Sequence, residues 1–214
     1  MPKPEQLGPY TLIRPEGVFP LGGDTLALAA FATLRPHWKV CDLGTGSGAL
    51  LLLLAGREPS LSLTGVELDP LSAQTAQDNL DRNALPGQIL QCDLRRTSLS
   101  AGSFDLVISN PPYFRLGSGT SGGSARSEEC CTLDQLCTAA ARLVRNGGRF
   151  ALCHRPERLV DLLASLRAHG LEPKRLKLLA HTPASPPSAV LVEAVRQGRP
   201  GLDILPCAPQ TADV

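Results

Sequence analysis

Aromatic side chains are scarce in this chain, at 4% of 214 residues, so each ring in a turn or polar setting is more informative than usual. No run of eighteen apolar residues occurs, which argues against a transmembrane helix. The opening Met1-Pro2-Lys3-Pro4-Glu5-Gln6 lacks the apolar stretch of a secretory signal, and a cytoplasmic location is the resulting expectation. No charge of one sign dominates. The net charge of +1 gives little support to a partner held by bulk electrostatics alone. The histidines at 37, 154, 169 and 181 are scattered, and the seven cysteines include no C-x-x-C pair. Neither a metal site nor a disulfide framework is therefore expected. Cys41, Cys92 and Cys153 lie inside apolar runs and read as small buried hydrophobes.

What is present is an ordinary globular composition, 43% apolar and 19% charged, in a length that suits one core. Apolar runs alternate with helical patterns. Strands are expected at 38–43, 61–66, 88–92, 104–109 and 149–153, with two more at 175–180 and 189–195. Between them lie helices at 49–55, 69–80, 132–144 and 156–169; Asp69-Pro70 supplies an N-cap and a proline at the first helical position of one. This alternation predicts a doubly wound, mostly parallel α/β sheet. The last two strands are joined by the proline-rich stretch 182–188 with no helix, so one of them should run antiparallel. The expected organisation is a single domain over 1–214. It comprises an N-terminal extension over 1–36 ending in a helix at 25–34, a core over 37–196, and an irregular tail over 197–214 rich in Pro and Gly. The glycine- and serine-rich loop 115–129 reads either as a lid or as disorder.

Charge is unevenly spread. Residues 1–110 carry 8 Lys/Arg against 11 Asp/Glu, and residues 111–214 carry 13 against 9. The segment 142–177 has nine basic residues against Glu157, Asp161 and Glu172. A phosphate-contacting face is one reading, and a solvated, salt-bridged surface is the plainer one.

Three strand ends carry candidate ligand-binding residues. Asp42-Leu43-Gly44-Thr45-Gly46-Ser47-Gly48 follows the first core strand and opens a helix. Glycines there permit a sharp turn and close approach of a ligand, and the helix start offers free N–H groups. Gly44, Gly46 and Ala49 also satisfy a loose dinucleotide fingerprint, so the turn alone leaves a nicotinamide cofactor open. Glu67 ends the second strand, 23 residues after Gly44, a spacing that suits a carboxylate accepting from ribose hydroxyls. Leu68 would lie beside an adenine. Asp93, followed by Leu94, ends the third strand and is placed to accept from an adenine amino group; alone it would be a turn residue.

Ser109-Asn110-Pro111-Pro112-Tyr113-Phe114 follows the fourth strand and should face the same crevice. The two prolines stiffen the turn, lack N–H donors and leave carbonyl acceptors free. The side-chain oxygen of Asn110 and the carbonyl of Pro111 can take both N–H groups of an exocyclic or amide nitrogen. That would localise its lone pair toward an electrophilic methyl group, while Tyr113 stacks on the ring. Such chemistry rests on positioning and needs no metal or strong base. The bland alternative is a structural Asn-Pro-Pro turn.

The set Asp42–Gly48, Glu67, Asp93 and Asn110–Tyr113 resembles the amino-methyltransferases with an N-P-P-Y motif. More of the chain is similar to the bacterial tRNA adenine-N6 methyltransferases that act on the anticodon loop of a valine tRNA. The matching stretches are Phe19…Gly23-Asp24-Thr25-Leu26, Ala125-Arg126, Gly147-Gly148-Arg149-Phe150, His154–Leu159, Pro173–Leu176, Val190–Glu193 and Gly198–Leu202. The resemblance implies a Rossmann-like class I methyltransferase fold, a seven-stranded mostly parallel sheet with an antiparallel last strand. It implies S-adenosyl-L-methionine as cofactor, held by Asp42, Gly44, Thr45, Gly46, Glu67, Leu68, Asp93, Leu94 and Asn110. It implies a tRNA or other RNA substrate whose adenine is splayed into the pocket. Tyr113 and Phe114 would stack on it, and Arg126, Arg155 and Arg158 would contact phosphates. Protein glutamine-N5 methylation, amino methylation of ribosomal RNA or DNA, and a non-catalytic RNA-binding module remain alternatives at this point.

Overall fold

A computed structural model describes residues 4–111, 131–182 and 184–209. The main sheet is built from β3 (Lys39–Leu43), β4 (Ser62–Glu67), β5 (Gly87–Gln91), β6 (Phe104–Ser109), β7 (Val144–His154), β8 (Leu171–Ala180), β9 (Ala189–Arg196) and β10 (Asp203–Pro209). Their order is β10-β8-β9-β7-β6-β3-β4-β5. Neighbours pair in parallel except across β9, which runs against both β7 and β8. The predicted α/β, mostly parallel sheet is thus present, with its antiparallel strand in the expected place. It has eight strands rather than seven.

The extra strand is the first correction. Residues 203–209, expected to be irregular, lie parallel to β8 with a register shift between Leu205 and Ala208. Pro206 falls inside that shift. Proline is tolerated on an edge strand where no ladder N–H is required, which is why a proline-rich tail can still pair. The second correction concerns the Asn146-Gly147-Gly148 stretch. The helix before it, α4 (Leu133–Leu143), ends earlier than expected, and β7 begins at Val144. Phe104 pairs with Val144 and Leu106 with Arg149, so the intervening residues bulge out of the ladder, with Gly147 at φ 73°. A glycine pair absorbs that bulge where a residue with a side chain would be strained.

The central strands are buried on both faces, and their side chains alternate between two cores. Val40, Leu106 and Ile108 join one cluster with α1 (Gly23–Phe31), α2 (Ala49–Arg57) and Leu80 of α3 (Pro70–Arg82). Cys41, Leu43 and Val107 join the other, with α4 and α5 (Leu159–Ala168). The period of two in strands and the near-continuous apolar sequence of parallel strands explain both the alternation and its invisibility in the hydropathy pattern. Helix α2 is apolar on almost every side because it is sandwiched between the sheet and the N-terminal elements. As expected, α3 is capped by Asp69, which accepts from the Ser72 N–H at 2.9 Å, with Pro70 at the first turn. The helix expected at 156–169 splits into a 3-10 turn at Pro156–Arg158 and α5.

The N-terminal extension contributes more than its helix. β1 (Glu5–Leu7) and β2 (Tyr10–Leu12) form a hairpin beside α3. Two asparagines one helical turn apart, Asn79 and Asn83, hold it there. Asn79 accepts from Ile13 N–H and donates to Ile13 O, both at 2.9 Å, and Asn83 does the same for Thr11 at 2.9 and 2.8 Å. The amide side chains act as a substitute strand for residues 11–13. No helix among the described residues is long and apolar enough to cross a membrane.

Candidate active site

The glycine turn, Glu67, Asp93 and Asn110 all sit at the carboxyl ends of adjacent parallel strands, β3, β4, β5 and β6. Ligands bind at this edge in open α/β sheets. The turn is built by backbone ties. Gly44 and Thr45 N–H both donate to Val66 O, at 2.8 and 3.1 Å, and Gly46 N–H donates to the Glu67 carboxylate at 2.8 Å. Gly65 makes room for it, since a Cβ there would stand 2.8 Å from the Thr45 methyl and 2.6 Å from Ile89. Gly44 and Gly46 adopt φ of +75° and +56°, and the space a Cβ would enter at each is open. The turn is therefore a bare backbone cradle.

Asp42 is 1% exposed beneath the turn. Its Oδ2 accepts from the Thr45 hydroxyl at 2.7 Å, while Oδ1 is buried without a partner among the described residues. Burial raises its pKa to about 7, the Thr45 hydrogen bond partly opposes this, and the nearby Glu67 charge adds to it. A buried carboxylate with an orphaned oxygen is costly unless a donor or cation arrives.

Glu67 has both oxygens engaged, with Oε1 accepting from the Asp69 N–H at 2.9 Å. Each carboxylate oxygen has a second lone pair for a ligand hydroxyl. Leu68 is 49% exposed and follows Glu67 at the rim. Asp93 is occupied differently from the sequence expectation. The side chain of Arg95 grips its carboxylate from Nε at 2.9 Å to each oxygen and from a terminal nitrogen at 2.5 Å, and the Arg95 N–H adds a bond at 2.9 Å. These bonds hold its carboxyl below the usual value. Leu94, next in the chain, packs on the second core.

Ser109 was not singled out by the sequence. It is fully buried, and its hydroxyl donates to Leu43 O at 2.7 Å. That bond ties the end of β6 to the residue before the glycine turn and so sets Asn110 beside it. Asn110 Nδ2 donates to the Thr25 hydroxyl of α1 at 2.8 Å, and its Oδ1 is buried without a partner among the described residues. Pro111 follows with no N–H. Pro112, Tyr113, Phe114, Arg126 and the loop 115–129 lie outside the described residues.

The basic segment does not make one face. Arg142 donates to Leu99 O and Thr97 O, Arg145 pairs with Asp105, and Arg149 and Arg175 both reach the buried Glu193. A depression lined by Gly102, Arg142, Arg145 and Arg196 opens at the opposite edge, where β6 and β7 begin, and its arginines are committed to these internal bonds or, for Arg196, to His169 O. Two basic residues lie near the site edge, after β7. Arg155 has one guanidinium nitrogen buried without a partner, and Arg158 is paired with Asp161 at 2.7 Å on the surface. Burial pushes the Cys41 and Cys153 thiols well up, as befits inert core cysteines, whereas Cys92 is only partly buried.

Comparison with known proteins decides the class. Residues 10–161 match the methyltransferase small domain family. The chain belongs to that family. It is an S-adenosyl-L-methionine-dependent methyltransferase. A tRNA1(Val) (adenine(37)-N6)-methyltransferase from Porphyromonas gingivalis is 31% identical over 186 residues, covering 81% of this chain and 73% of that protein. One of the same name from a Flavobacteriaceae bacterium is 28% identical over 194 residues, covering 82% and 83%. Among solved structures, a predicted O-methyltransferase from Agrobacterium tumefaciens superposes with a TM-score of 0.69 at 22% identity, covering 87% of this chain and 86% of that one. A geranyl diphosphate C-methyltransferase from Streptomyces coelicolor, solved with S-adenosyl-L-homocysteine, gives 0.57 at 15% identity, covering 79% and 78%. These show the class I methyltransferase fold. The methyltransferase's site fits its cofactor on its own terms. The open cradle at Gly44 and Gly46 admits a close ligand, and the unpartnered Asp42 oxygen needs a donor.

Proposed function

We propose that this methyltransferase acts on the exocyclic N6 amine of an adenine in tRNA. The observation that carries the amino-group reading is the buried Oδ1 of Asn110, unpartnered among the described residues, beside the glycine turn and followed by a proline carbonyl. The names of the two relatives above support adenine in tRNA as the target.

The cofactor supplies an electrophilic methyl group on a sulfonium. Asp42, Gly44, Thr45 and Gly46 would hold it, Glu67 would take its ribose hydroxyls, and Leu68, Asp93 and Leu94 would border its base. Asp93 shares its carboxylate with Arg95, so a base amino group is a second donor to it rather than the first. Asn110 Oδ1 and the Pro111 carbonyl accept the two N–H groups of the target amine. With these bonds the nitrogen lone pair would face the methyl group; the S–C bond would break as the N–C bond forms, S-adenosyl-L-homocysteine would leave, and the surplus proton would pass from the alkylated nitrogen to solvent, so no side-chain base is needed beforehand. From the sequence pattern, Pro112 would stiffen the turn, and Tyr113 and Phe114 would stack on the splayed adenine. Arg126, Arg155 and Arg158 meet the phosphates. The exposed, weakly held pair of Arg158 suits that role.

The test is transfer of label from S-adenosyl-L-methionine to total tRNA and, in parallel, to total protein, each from cells lacking the gene, followed by digestion and mass analysis. N6-methyladenosine in tRNA is expected. Label on protein glutamine would move the same pair of acceptors to an amide, and no label in either would reject both targets. Asn110→Ala should retain cofactor affinity and lose turnover by roughly a hundredfold or more, the scale of removing one polar group aimed at the reacting atoms.

A further inference from the structure

We propose that Thr25 is a positioning residue: from the start of α1 its hydroxyl anchors the Asn110 carboxamide nitrogen and so fixes the plane and place in which the amide oxygen faces the reacting amine. This rests on the amino-methylation reading above.

The two residues are 85 apart in sequence and meet at 2.8 Å. An asparagine side chain has two ends of similar shape and opposite hydrogen-bonding character. Only the oxygen end can accept an N–H from the substrate. The nitrogen end would meet that N–H as donor against donor. The neighbouring bonds at the end of β6 leave the amide few partners. Ser109 is spent on Leu43 O, and Pro111 has no N–H to offer. Among the described residues, Thr25 Oγ1 is the partner of Asn110 Nδ2, and Oδ1 has none. A hydroxyl can give as well as take, so Thr25 fixes the plane and position of the amide. A flipped amide would meet the substrate amine donor against donor, so the substrate selects the orientation of an amide that Thr25 keeps in place. The hydroxyl thus satisfies the buried nitrogen and leaves the oxygen as the single unmet acceptor.

The helix start fixes Thr25 in turn. Its N–H donates to Asp24 Oδ1 at 2.9 Å and to Gly22 O at 3.1 Å, so the first turn of α1 is closed without using the Thr25 hydroxyl. Substituting valine keeps the branched shape and removes only the oxygen. Substituting serine keeps the oxygen.

The experiment compares wild type, Thr25→Val and Thr25→Ser in three measurements. Single-turnover methylation of a tRNA substrate should fall about 10- to 100-fold in Thr25→Val, with KM for tRNA little changed, and recover to within about threefold of wild type in Thr25→Ser. Affinity for S-adenosyl-L-homocysteine by calorimetry should stay within about twofold in both variants. In the unliganded protein with nitrogen-15 asparagine, the Asn110 side-chain NH2 resonance should shift in Thr25→Val and not in Thr25→Ser. Full turnover in Thr25→Val overturns the proposal, as does a serine variant as impaired as the valine one. A loss of S-adenosyl-L-homocysteine affinity matching the loss of rate would also overturn it, by making Thr25 a cofactor contact. Failure of the wild-type protein to methylate any amine would instead reject the underlying reading, and the resonance shift would then report the Thr25–Asn110 bond alone.

Discussion

Glu67 accepts the Gly46 N–H at 2.8 Å on one carboxylate oxygen and the Asp69 N–H at 2.9 Å on the other. The residue expected to meet the ribose is therefore also the clamp that shapes the glycine turn and starts α3. The two roles use different lone pairs of the same oxygens, so they are compatible. They also make the conservative substitution harmful. Glu67→Gln offers one oxygen and one NH2 to two N–H donors, leaving one of them unmatched. Stability should fall by about 1–2 kcal/mol, and the dissociation constant for S-adenosyl-L-homocysteine should rise about tenfold. Urea unfolding and calorimetry separate the effects: a stability loss with unchanged affinity would leave Glu67 as a clamp only.

Asp42 links the site to pH. Burial places its folded value near 7, against 3.8 for a free carboxyl. Between about pH 4 and pH 7 the folded state holds a proton that the unfolded chain has released. Stability from this group is therefore highest in acid, falls as pH rises through that window and levels off above it. Asp42→Asn lacks the titration. In the ligand-free protein its stability advantage over wild type should be larger at pH 8 than at pH 5, by roughly 1–3 kcal/mol, in urea unfolding at both pH values. The same variant should bind the cofactor less well, since the orphaned oxygen is then no anion. An advantage independent of pH would mean that Asp42 ionises normally in the fold.

The strand ends and their chemistry were legible because they depend on short, local patterns. A glycine turn before a helix, a carboxylate at a fixed spacing and an Asn-Pro-Pro after an apolar run each declare themselves within a few residues. What stayed hidden depends on distant partners. Thr25 and Ser109 are unremarkable in sequence, and only their contacts with Asn110 and Leu43 reveal a role. Arg95 stands two residues after Asp93, yet no pattern says that it folds back onto the carboxylate. The basic run from 142 to 177 left two readings open, a phosphate-contacting face and a solvated, salt-bridged surface, because charge counted along the chain carries no direction. In the fold its arginines point to both ends of the sheet, and several are used internally. β10 was missed because Pro206 and Pro209 interrupt its apolar residues, a weighting that fails on an edge strand.

Asn79 connects the N-terminal extension to the glycine turn. It is 1% exposed, and besides its two bonds to Ile13 its Nδ2 donates to Ser47 O at 3.0 Å. Removing the side chain takes the partner from three backbone groups at once, that of Ser47 buried and the two of Ile13 part-buried. Asn79→Ala should cost about 2–4 kcal/mol, more than loss of a typical single hydrogen bond. Because Ser47 belongs to the turn, cofactor affinity should fall as well. Limited proteolysis should then cut the first fifteen residues faster than the core. Uniform protection would show that packing of Leu7 and Leu12, both buried, holds the hairpin without the amide.

Glu193 fixes the far end of the helix that carries Thr25. It is fully buried in β9 and accepts from the Thr33 N–H at 2.8 Å, the Thr33 hydroxyl at 2.9 Å, Arg149 at 2.6 Å and Arg175 at 3.2 Å. Arg175 also donates to Phe31 O at 3.1 Å and lies over the Phe31 ring, and Arg57 of α2 reaches Ala29 O and Ala32 O. The last carbonyls of α1 are thus met by guanidinium groups gathered around one carboxylate, a favourable arrangement for a helix C-terminus. Glu193→Gln keeps the shape but removes the charge shared by Arg149 and Arg175. Breaking such a pair from one side costs about 3–5 kcal/mol when the partner is fully buried. Here both arginines keep partial solvent access, 24% and 30% of their side chains, so the lower end is expected. The effect should reach the active site through α1. Turnover should drop several-fold, while serine at position 25 no longer matches threonine, because a loosened helix no longer holds the hydroxyl against Asn110. A double-mutant cycle between Glu193→Gln and Thr25→Ser measures that coupling; strictly additive effects on turnover would mean that the two ends of α1 act independently.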